Sequence, residues 1–583
     1  MHHRSAEIRT PSRARLPVAA ALLAAICALA LVGGPAPAGA VAKPRPNFVV
    51  IQTDDQTLDG LYAAFVPYPG APPLRAMPNT LRLIAKGGMT FDRYYVSYSL
   101  CCPSRVTLLT GRYAHNHNVR GNVPPLGGYT GFATRGAMHH NIAVWLDQAG
   151  YRTIHIGKFL NGYGDAPYDD GRTVPPGWDA WHTVLNPDTR HAFYGYSMND
   201  NGSIDGPFGD PGNPETREYG VRDDPGCPFA PANGLPCYYE TDHLSLQAVE
   251  EIHATPPERP FYLQLDYTAP HGDFRHPAGP EPAPRHYGWF EGAPLPHSRS
   301  EGLDEANVSD KPSFIRDAPR LTPTELHTYR VYYDKVLESL RSIDDGVGWI
   351  FQALAQTHRL GDTYVIFTSD NGFFFGEHRL AGGKFLAYEP STHLPFLIRG
   401  PGIERGARSG ELVANIDIAP TVLALAGVKP DASVDGRSMV PFLRDPKLRS
   451  NRPILFESFV GTNDVEENGG GPPAATASAA GVSRRRGAST SIGAPPKDYS
   501  GIRLGPWKYT EWPNGEKELY NVENDPNELN NRVREPNLFP IRSFLHRQLL
   551  RLKTCAGRTC REEAPPIPLT RKQQRRLRHG QHH

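Results

Sequence analysis

Asn47-Phe48-Val49-Val50-Ile51-Gln52 is a short run in which nearly every side chain is apolar. Strands that are covered on both faces of a parallel sheet have this composition, whereas half-exposed strands alternate apolar and polar residues. Three further runs have the same character, at residues 152–156, 261–265 and 364–368. We therefore expect four strands of one buried sheet.

Helical patterns separate these runs. Residues 140–149 end at Gly150, a common stop signal, and Asp242 can cap a second helix. Thr324 can begin a long helix whose apolar residues continue to Leu354. Alternation of strands and helices is typical of a doubly wound α/β domain. The sequence thus predicts a large doubly wound mixed or parallel sheet domain, followed by a smaller C-terminal α+β domain.

Polar side chains follow each of the four apolar runs. One such residue alone is typical of a turn, a helix cap or a solvated side chain. Ligands of open α/β sheets, however, collect at the carboxyl ends of the strands, so four strand ends that supply polar residues together indicate a site. The residues are Asp54 and Asp55, Lys158, His271, and Asp370 with Asn371.

The length of 583 residues exceeds one ordinary hydrophobic core and predicts two domains. We expect an export signal at 1–40, an α/β domain at 41–450 and a smaller domain at 451–560. The smaller domain contains a low-complexity stretch at about 465–497, which is expected to be a mobile loop. The remaining residues, 561–583, are expected to form a basic, disordered tail.

The first forty residues have the pattern of a secretory signal. Four arginines precede an apolar run at 17–32, and Ala38-Gly39-Ala40 fits a cleavage site. An uncleaved membrane anchor is the alternative, but the run is shorter than a typical bilayer span, and no other segment approaches that length. We therefore expect a secreted protein without a transmembrane segment.

The charge composition argues against a nucleic-acid-binding protein. Lys and Arg number 62, against 61 Asp and Glu, so the chain has no general affinity for polyanions. The stretch 571–583 is basic. Such a run is typical of an inert solvated tail, or of one that touches anionic polymers of the cell envelope.

Six cysteines remain once the predicted signal is removed. In an oxidising compartment the pairs Cys227–Cys237 and Cys555–Cys560 can form disulfides, because short turns bring their Cα atoms within range. Neither pair has the spacing of a zinc site. Cys101 and Cys102 are left over and belong to a motif of their own.

Cys101-Cys102-Pro103-Ser104-Arg105 begins a helix-forming run that continues to Arg112. Free N–H groups at a helix N-terminus attract anions, so a bare thiol there is expected to have a lowered pKa. The motif resembles the signature of the type I sulfatases, which belong to the alkaline phosphatase superfamily. The resemblance implies that Cys101, not Cys102, is oxidised to formylglycine by a formylglycine-generating enzyme, and that the hydrated aldehyde attacks sulfate esters. A structural cysteine pair is the alternative for the dipeptide alone.

The strand-end residues match the same family, in the family's order, over roughly residues 46–443 and a C-terminal part. The resemblance implies one metal site with these ligands: Asp54, Asp55, the converted Cys101, Asp370 and Asn371. Three carboxylates and an amide are hard oxygen donors. They suit Ca²⁺, suit Mg²⁺ less well and do not suit zinc.

Positive side chains are expected to dominate catalysis, because a sulfate ester spreads its charge over non-bridging oxygens. The candidates are Arg105, Lys158 and Lys384, of which Arg105 lies about one helical turn after Cys101 and can face the same site. His271 is expected to protonate the departing alcohol oxygen, since imidazole titrates near neutrality.

One position departs from the family. Many sulfatases carry a histidine where this chain has Leu160, so the orientation or deprotonation of the aldehyde hydrate is left without a residue. The surrounding Gly-Lys-Phe-Leu-Asn run at 157–161 resembles the N-acetylglucosamine-6-sulfatase-like subgroup. His378 can either contact substrate or make a structural hydrogen bond.

The expected reaction is hydrolysis of sulfate monoesters in a sulfated carbohydrate. Aromatic and basic residues on the long loops 165–236 and 272–319 could bind sugar rings and further anionic groups. They are Trp178, Trp181, His182, Arg190, His191, Tyr194, Tyr196, Arg275, Arg285, Tyr287 and Trp289. Two alternatives remain: a phosphodiester or phosphonate monoester hydrolase of the same superfamily, and a glycan-binding relative without catalysis.

Overall fold

The apolar run at residue 47 forms the central strand of a ten-stranded sheet. The computed structural model describes residues 45–167, 169–185, 193–209, 239–273, 279–297, 301–380, 382–459 and 498–570. The strands of this part of the chain are β1 (Asn47–Thr53), β2 (Ala64–Phe65), β3 (Leu74–Arg75), β4 (Met89–Tyr95), β5 (Arg152–Lys158), β6 (Ala180–Val184), β7 (Tyr196–Asp200), β8 (Ser203–Phe208), β9 (Phe261–Asp266), β10 (Thr363–Ser369), β11 (Phe396–Arg399), β12 (Ala407–Ala414), β13 (Ile454–Phe459), β14 (Asp498–Leu504), β15 (Trp507–Glu511) and β16 (Lys517–Asn521).

Helices connect the strands over the same residues. The α-helices are α1 (Leu58–Tyr62), α2 (Pro78–Thr80), α3 (Cys101–Thr110), α4 (Ala114–His117), α5 (Gly128–Thr134), α6 (Ile142–Gln148), α7 (Glu240–Ala254), α8 (Ser313–Arg316), α9 (Pro323–Gln356), α10 (Glu389–Thr392), α11 (Ile418–Ala426), α12 (Val440–Arg444) and α13 (Phe539–Leu552). Other helical turns cover Leu81–Ala85, Ala137–His139, Pro284–His286, Leu360–Asp362, Asn415–Asp417, Pro536–Leu538 and Gly557–Arg561. No described helix is both long enough and apolar enough to cross a bilayer.

The large sheet has the strand order β12-β4-β11-β10-β1-β9-β5-β6-β7-β8. The five strands from β10 to β6 are parallel neighbours, and they include the four predicted from apolar runs. Within this sheet β7 and β11 run against the other strands. The predicted mixed, largely parallel sheet is therefore confirmed.

Both faces of the sheet are covered, which explains the unbroken apolar composition of its central strand. Val49 and Ile51 pack with residues of α7 and α9 on one face, whereas Phe48 and Val50 pack with residues of α3, α6 and α11 on the other. Alternate side chains of one strand thus enter two separate cores, as the pleat of a strand requires.

The long helix α9 begins at Pro323, one residue before the predicted start. Thr322 is its N-cap, and the side chains of Thr322 and Glu325 form a reciprocal capping box. The hydroxyl and carboxylate thereby satisfy backbone N–H groups that have no partner inside the helix. A proline at the first helical position supports the same start, because its fixed φ is compatible with a helix.

Strands β13 to β16 form a small antiparallel sheet near the C-terminus, and α13 packs against it. The predicted Cys555–Cys560 disulfide is confirmed, with its Cα atoms 5.1 Å apart. The domain boundary at residue 451 stays a prediction. The export signal, the Cys227–Cys237 pair, the stretch 465–497 and residues 571–583 of the predicted tail lie outside the described residues. Residues 561–570 of that tail are described. Asn451 Nδ2 donates hydrogen bonds to the carbonyls of Ala564 and Pro565 at 2.7 and 2.8 Å, so disorder from residue 561 is wrong for this part.

Candidate active site

Four parallel strands deliver polar side chains to one edge of the large sheet. β1 and β10 are in register up to Thr53 and Ser369, so the pairs Asp54-Asp55 and Asp370-Asn371 follow at the same level. β5 ends at Lys158, and the chain reaches His271 soon after β9. The structure therefore brings the predicted strand-end residues together.

The two acidic segments hold each other through hydrogen bonds. The backbone N–H of Asp55 donates to Asp370 Oδ1 at 3.3 Å, and Asn371 Nδ2 donates to Asp55 Oδ1. Asp55 has a φ of 63°, an unfavourable conformation for a non-glycine residue that persists where the surroundings enforce it. Asp55 Oδ2 and Asn371 Oδ1 are buried, and within the described residues neither accepts a hydrogen bond. Two oxygens are thus left for a ligand.

Helix α3 begins at Cys101 and presents this side chain to the acids. Cys101 Sγ lies 3.6 Å from Asp54 Oδ1, and Lys384 Nζ donates to it at 2.9 Å. The neighbouring Cys102 belongs to the hydrophobic core, and its Sγ lies 3.4 Å from Asn161 Oδ1. The two cysteines of the motif therefore have different surroundings, and Cys101 is the one at the site.

Three positive side chains balance the acids. Arg105 lies one turn along α3, with Nε 2.9 Å from Asp370 Oδ2 and a terminal nitrogen 3.4 Å from Asp54 Oδ2. Lys158 Nζ donates to Asp54 Oδ2, and Lys384 Nζ donates to Asp55 Oδ1 at 2.7 Å. Every buried carboxylate of the site thus has a cation beside it, as burial of charge requires.

The pKa values of two acids of the site, Asp54 and Asp370, are shifted in opposite directions. Burial favours the neutral form of Asp54, but Lys158, His271 and Arg105 hold the pKa of Asp54 well below its usual range. Burial, then the charge of Asp54, raises the pKa of Asp370 to about 7.

The thiol of Cys101 differs from its prediction. Its pKa lies well above the ordinary value, because burial and the charge of Asp54 outweigh the nearby lysines. The lowered pKa expected at a helix N-terminus is therefore wrong. An unmodified Cys101 is a poor nucleophile, since the thiolate is the reactive form.

His271 lies beside Asp55 at the same edge of the sheet. Its Nε2 lies 3.5 Å from Asp55 Oδ2, and its Nδ1 is 2.8 Å from the carbonyl oxygen of Gly272. One potential ligand atom each from Asp54, Asp55, Cys101 and His271 lies within 4.8 Å of the others. This group could surround a metal ion.

A family model for sulfatases matches residues 46–428. The chain belongs to the sulfatase family. An arylsulfatase of Volvox carteri is 31% identical over 566 residues, which cover 92% of this chain and 78% of the relative. The N-acetylglucosamine-6-sulfatase of Homo sapiens is 28% identical over 529 residues, which cover 89% of this chain and 86% of the relative.

Solved structures show the same fold. A protein in complex with its substrate D-glucosamine-2-N,6-O-disulfate superposes with a TM-score of 0.62 at 21% identity, over 89% of this chain and 98% of the other. With the family established, this sulfatase is an enzyme of the sulfuric ester hydrolase class.

Asp266 contributes to the site of this sulfatase and was missed from the sequence. It ends β9, with Oδ1 3.9 Å from Arg105, while Oδ2 accepts hydrogen bonds from Gln264 at 2.7 Å and His155 at 3.1 Å. Its position at the carboxyl end of a strand is the same signal that identified the other acids.

Asn415 supports the site from outside and was given no role by the sequence. Its Nδ2 donates to Ser104 Oγ at 3.0 Å, and Ser104 Oγ donates to the backbone carbonyl of Asp370. The serine of the cysteine motif thereby joins α3 to the end of β10.

Two ambiguous positions are resolved by their surroundings. Leu160 is part of the hydrophobic core, so no polar group replaces the family's histidine at that position. His378 is buried, with Nδ1 2.7 Å from Glu305 Oε2 and its ring 4.6 Å from that of Tyr388. His378 thus makes the structural hydrogen bond that was one of its two alternatives.

Of the eleven predicted substrate-binding loop residues, eight are described, and five of these eight have structural roles instead. Trp181, Tyr194 and Tyr196 are buried in the cores around β6 and β7. His182 pairs with Glu251 and Asp200, and Arg285 pairs with Asp242 and Asp345. Trp178 is half-buried, while Tyr287 and Trp289 are 66% and 40% exposed. Arg190, His191 and Arg275 lie outside the described residues.

Proposed function

We propose that this sulfatase hydrolyses sulfate monoesters of a sulfated carbohydrate outside the cytoplasm, using formylglycine at position 101 and one divalent cation, Ca²⁺. The position of Cys101 carries the proposal. It is the first residue of α3, and its Sγ lies between Lys384 Nζ at 2.9 Å and Asp54 Oδ1 at 3.6 Å. Conversion by a formylglycine-generating enzyme would replace a neutral thiol by oxygen at the most highly charged point of the site.

Cys101 Sγ stands where the oxygen atoms of a formylglycine hydrate would lie. Such a hydrate supplies an oxygen nucleophile for attack on sulfur. We assign Lys384 to hold this oxygen, because its Nζ already contacts Sγ and is fixed by Asp55. Lys158 and Arg105 approach the same point from β5 and α3, and we assign them to the sulfate oxygens, where charge accumulates.

The acids suit a hard cation. Asp54, Asp55 and Asp370 provide carboxylates and Asn371 an amide, and two of these oxygens accept no hydrogen bond within the described residues. Oxygen donors of this kind favour Ca²⁺ or Mg²⁺ over zinc, and Ca²⁺ tolerates the irregular geometry better. When bound, the ion would neutralise charge on the sulfate and on the nucleophile.

Charge balance explains why an anionic ester is the expected substrate. When ionised, Asp54, Asp55 and Asp370 carry three negative charges, which Arg105, Lys158 and Lys384 match with three positive charges. A divalent cation leaves these six side chains with two positive charges in excess, and the carboxylate of Asp266 beside Arg105 offsets one of them when ionised. An anionic sulfate monoester supplies the remaining negative charge.

We assign His271 the protonation of the leaving alcohol. It enters from the loop after β9, with Nε2 3.5 Å from Asp55 Oδ2. Burial lowers the pKa of His271, partly offset by the charges of Asp55 and Asp54. The lowered pKa makes the imidazolium a stronger acid than in water, but it also makes the neutral imidazole the prevailing form at neutral pH, so protonation of the leaving group by His271 is favoured as the pH falls.

Several observations support a carbohydrate substrate. The Gly-Lys-Phe-Leu-Asn run resembles glucosamine-6-sulfatases, one relative bears that name, and one structural neighbour was solved with a sulfated glucosamine. Exposed aromatic rings at Tyr287 and Trp289 are candidates for stacking on sugars. We expect sulfate release from glucosamine 6-sulfate units to exceed release from steroid or choline sulfates. Turnover of non-carbohydrate esters alone would contradict this specificity, but not the sulfatase reaction.

Secretion is part of the proposal. The N-terminal forty residues have the signal pattern, and the disulfide Cys555–Cys560 is typical of an oxidising compartment. N-terminal sequencing of exported protein should find a mature chain that starts near residue 41.

The experiment that tests the proposal compares the two cysteines of the motif. Peptide mass spectrometry should find the aldehyde at position 101, and Cys101→Ala should abolish sulfate release while the protein stays folded. Cys102→Ala, the matched control, should keep substantial activity, since Cys102 contacts Asn161 and the core. The opposite behaviour of the two variants would refute the assignment.

Parallel assays separate this function from its alternatives. Aryl sulfate, aryl phosphodiester and phosphonate monoester substrates should be compared at equal concentrations of enzyme carrying the aldehyde. Faster turnover of either phosphorus ester would favour the related hydrolases of the superfamily. Binding of sulfated glycan without turnover would favour a non-catalytic relative.

A further inference from the structure

The segment that carries Lys384, residues 382–392, has an unfavourable backbone. Gly382, Gly383 and Phe385 have φ angles of 82°, 92° and 79°, and a positive φ is strained for a residue such as Phe385. Such a conformation persists only where other contacts hold it. Its position therefore depends on the groups that anchor it.

Some anchors belong to the large domain. The N–H of Phe385 donates to the carbonyl of Ser99 at 3.0 Å, and the N–H of Phe374 donates to that of Gly383 at 2.9 Å. The N–H of Gly372, next to Asn371, donates to the carbonyl of Ser391 at 2.9 Å. The segment thus lies between the cysteine motif and the acids at the end of β10.

Other anchors come from the small C-terminal sheet. Tyr388 donates its hydroxyl proton to Glu518 Oε1 of β16 at 2.7 Å. The same carboxylate accepts hydrogen bonds from Tyr520 and, at 2.8 Å, from Trp512. All four side chains are buried, so this acceptor is a fixed point rather than a solvated surface group.

A second link lies at the adjacent residue. Lys508 of β15 lies 3.1 Å from Glu389 Oε1 and 2.6 Å from Glu528 Oε1. Glu528 Oε2 also accepts a hydrogen bond from the backbone N–H of Glu389 at 2.7 Å. Side chains of the small sheet therefore bind two consecutive residues, Tyr388 and Glu389, which follow Lys384 closely in the chain.

We propose that the small sheet positions Lys384 through the Tyr388–Glu518 hydrogen bond, which makes Tyr388 and Glu518 positioning residues of the active site. The inference rests on the proposed role of Lys384 at the nucleophile. A displacement of about 1 Å at a catalytic group can cost about 100-fold in rate. Loss of one anchor of several is accordingly expected to lower kcat by about tenfold.

Two tyrosine variants test this with a matched control. Tyr388→Phe and Tyr520→Phe each remove one buried hydroxyl that donates a hydrogen bond to Glu518 Oε1. Only Tyr388 belongs to the segment of Lys384. Both should show the same aldehyde content and a similar small loss of thermal stability. Only Tyr388→Phe should lower kcat for 4-nitrophenyl sulfate about tenfold, with KM little changed.

Hydrogen exchange and a double variant supply readouts that do not depend on the rate alone. Exchange at residues 382–388 should be faster in Tyr388→Phe than in Tyr520→Phe. In a Lys384→Met background, Tyr388→Phe should cause no further fall in kcat, because both changes act through the same amine.

The outcomes that overturn the inference differ from those that overturn the proposed function. Equal kcat in the two tyrosine variants, or multiplicative losses in the double variant, would overturn the positioning role alone. Full turnover by Lys384→Met would overturn the role of Lys384 and this inference with it. Both the role of Lys384 and the positioning role of Tyr388 are supported if only Tyr388→Phe lowers kcat and if this effect disappears when Lys384 is replaced.

Discussion

At the scale of single residues, Asp54 shows how the site is held together. It follows β1, yet its carboxylate meets Arg105 from α3 and Lys158 from β5. A buried carboxylate without such partners costs several kcal/mol, so the three elements are tied together at this point. Replacement of any one of these residues leaves the others unbalanced, and activity data should be read together with stability data.

The metal can be tested at Asp55 and Asp370. Asp55→Asn and Asp370→Asn are expected to lose the bound ion and to lower turnover at least about 100-fold, since a catalytic metal contributes several kcal/mol. Elemental analysis measures the ion, and sulfate release measures the rate. Addition of Ca²⁺ should raise the Tm of the wild type and leave the Tm of both variants unchanged. At a free Ca²⁺ concentration of 100 times Kd, the unfolding free energy of the wild type should increase by about 2.7 kcal/mol.

The control for this prediction is Asp344→Asn. Asp344 is a buried acid of α9 that accepts hydrogen bonds from the N–H groups of Asn79 and Thr80 at 2.9 and 2.7 Å. Its variant should be less stable but should keep the ion. Stoichiometric zinc in the wild type, or full turnover after thorough chelation, would contradict the assignment.

The sequence brings Asp54, Lys158 and Asp370 to one edge of the sheet by a local signal, since a polar residue at the end of an apolar strand lies there, and the structure places them together. Lys384 follows no such strand and was predicted only from the resemblance to the family. The link from Tyr388 to Glu518 has no local signal, since 130 residues separate its partners. The burial that raises the pKa of Cys101 likewise comes from packing of distant segments.

At the scale of elements, close approach of α9 to α7 and β9 depends on a glycine. A Cβ at Gly346 would lie 2.2 Å from Ser245 Oγ and 2.8 Å from the Tyr267 hydroxyl. These two groups are themselves hydrogen-bonded at 2.7 Å and cannot move apart freely. Gly346→Ala should therefore destabilise the protein by about 2 kcal/mol through overpacking.

Gly348 offers the matched control in the same helix. There the nearest group to a Cβ is the side-chain amide of Asn79, at 3.3 Å. Gly348→Ala should be neutral or stabilising by up to about 1 kcal/mol, because alanine favours a helix over glycine. Urea denaturation of both variants measures the difference. Equal effects of the two substitutions would show that helix propensity, not packing, determines the change in unfolding free energy.

The sequence predicted the central parallel strands of the large sheet but not the strands towards its β8 end. β1, β5, β9 and β10 are continuous apolar runs in the middle of the sheet, and each was identified. The antiparallel strand β7 and the exposed edge strand β8 carry polar residues and were read as loops. Tyr196 therefore looked like a loop aromatic, although pairing with β6 and β8 places it in the core.

At the scale of the whole molecule, the two sheets share a hydrophobic core. Tyr95 and Leu412 of the large sheet pack in one cluster with Leu455, Ile502 and Leu519 of the small sheet. Because each sheet buries apolar area against the other, we expect the two sheets to be stable together as one folding unit rather than as two independent ones. The small sheet is therefore fixed against the large sheet, as it must be if the Tyr388–Glu518 hydrogen bond is to hold the segment of Lys384 in position.

The disulfide Cys555–Cys560 closes a short loop near the C-terminus. The carbonyl of Cys555 lies 2.9 Å from His115 Nε2 and accepts a hydrogen bond from Asn116 Nδ2, also at 2.9 Å. These residues follow α3 directly, so the disulfide loop docks beside the helix that carries Cys101. The bridge fixes the loop in the conformation that can dock.

We expect the Cys555→Ala/Cys560→Ala double variant to lose about 2 kcal/mol of unfolding free energy, the entropy of closing so short a loop. Turnover should persist, because the hydrogen bonds of Cys555 go to His115 and Asn116 rather than to the site residues. Denaturation with and without reductant, for wild type and double variant, isolates this bridge: a reductant effect that persists in the double variant belongs to other cysteines. If removal of the bridge leaves the free energy unchanged, docking of the loop on His115 and Asn116 holds it without the covalent bond.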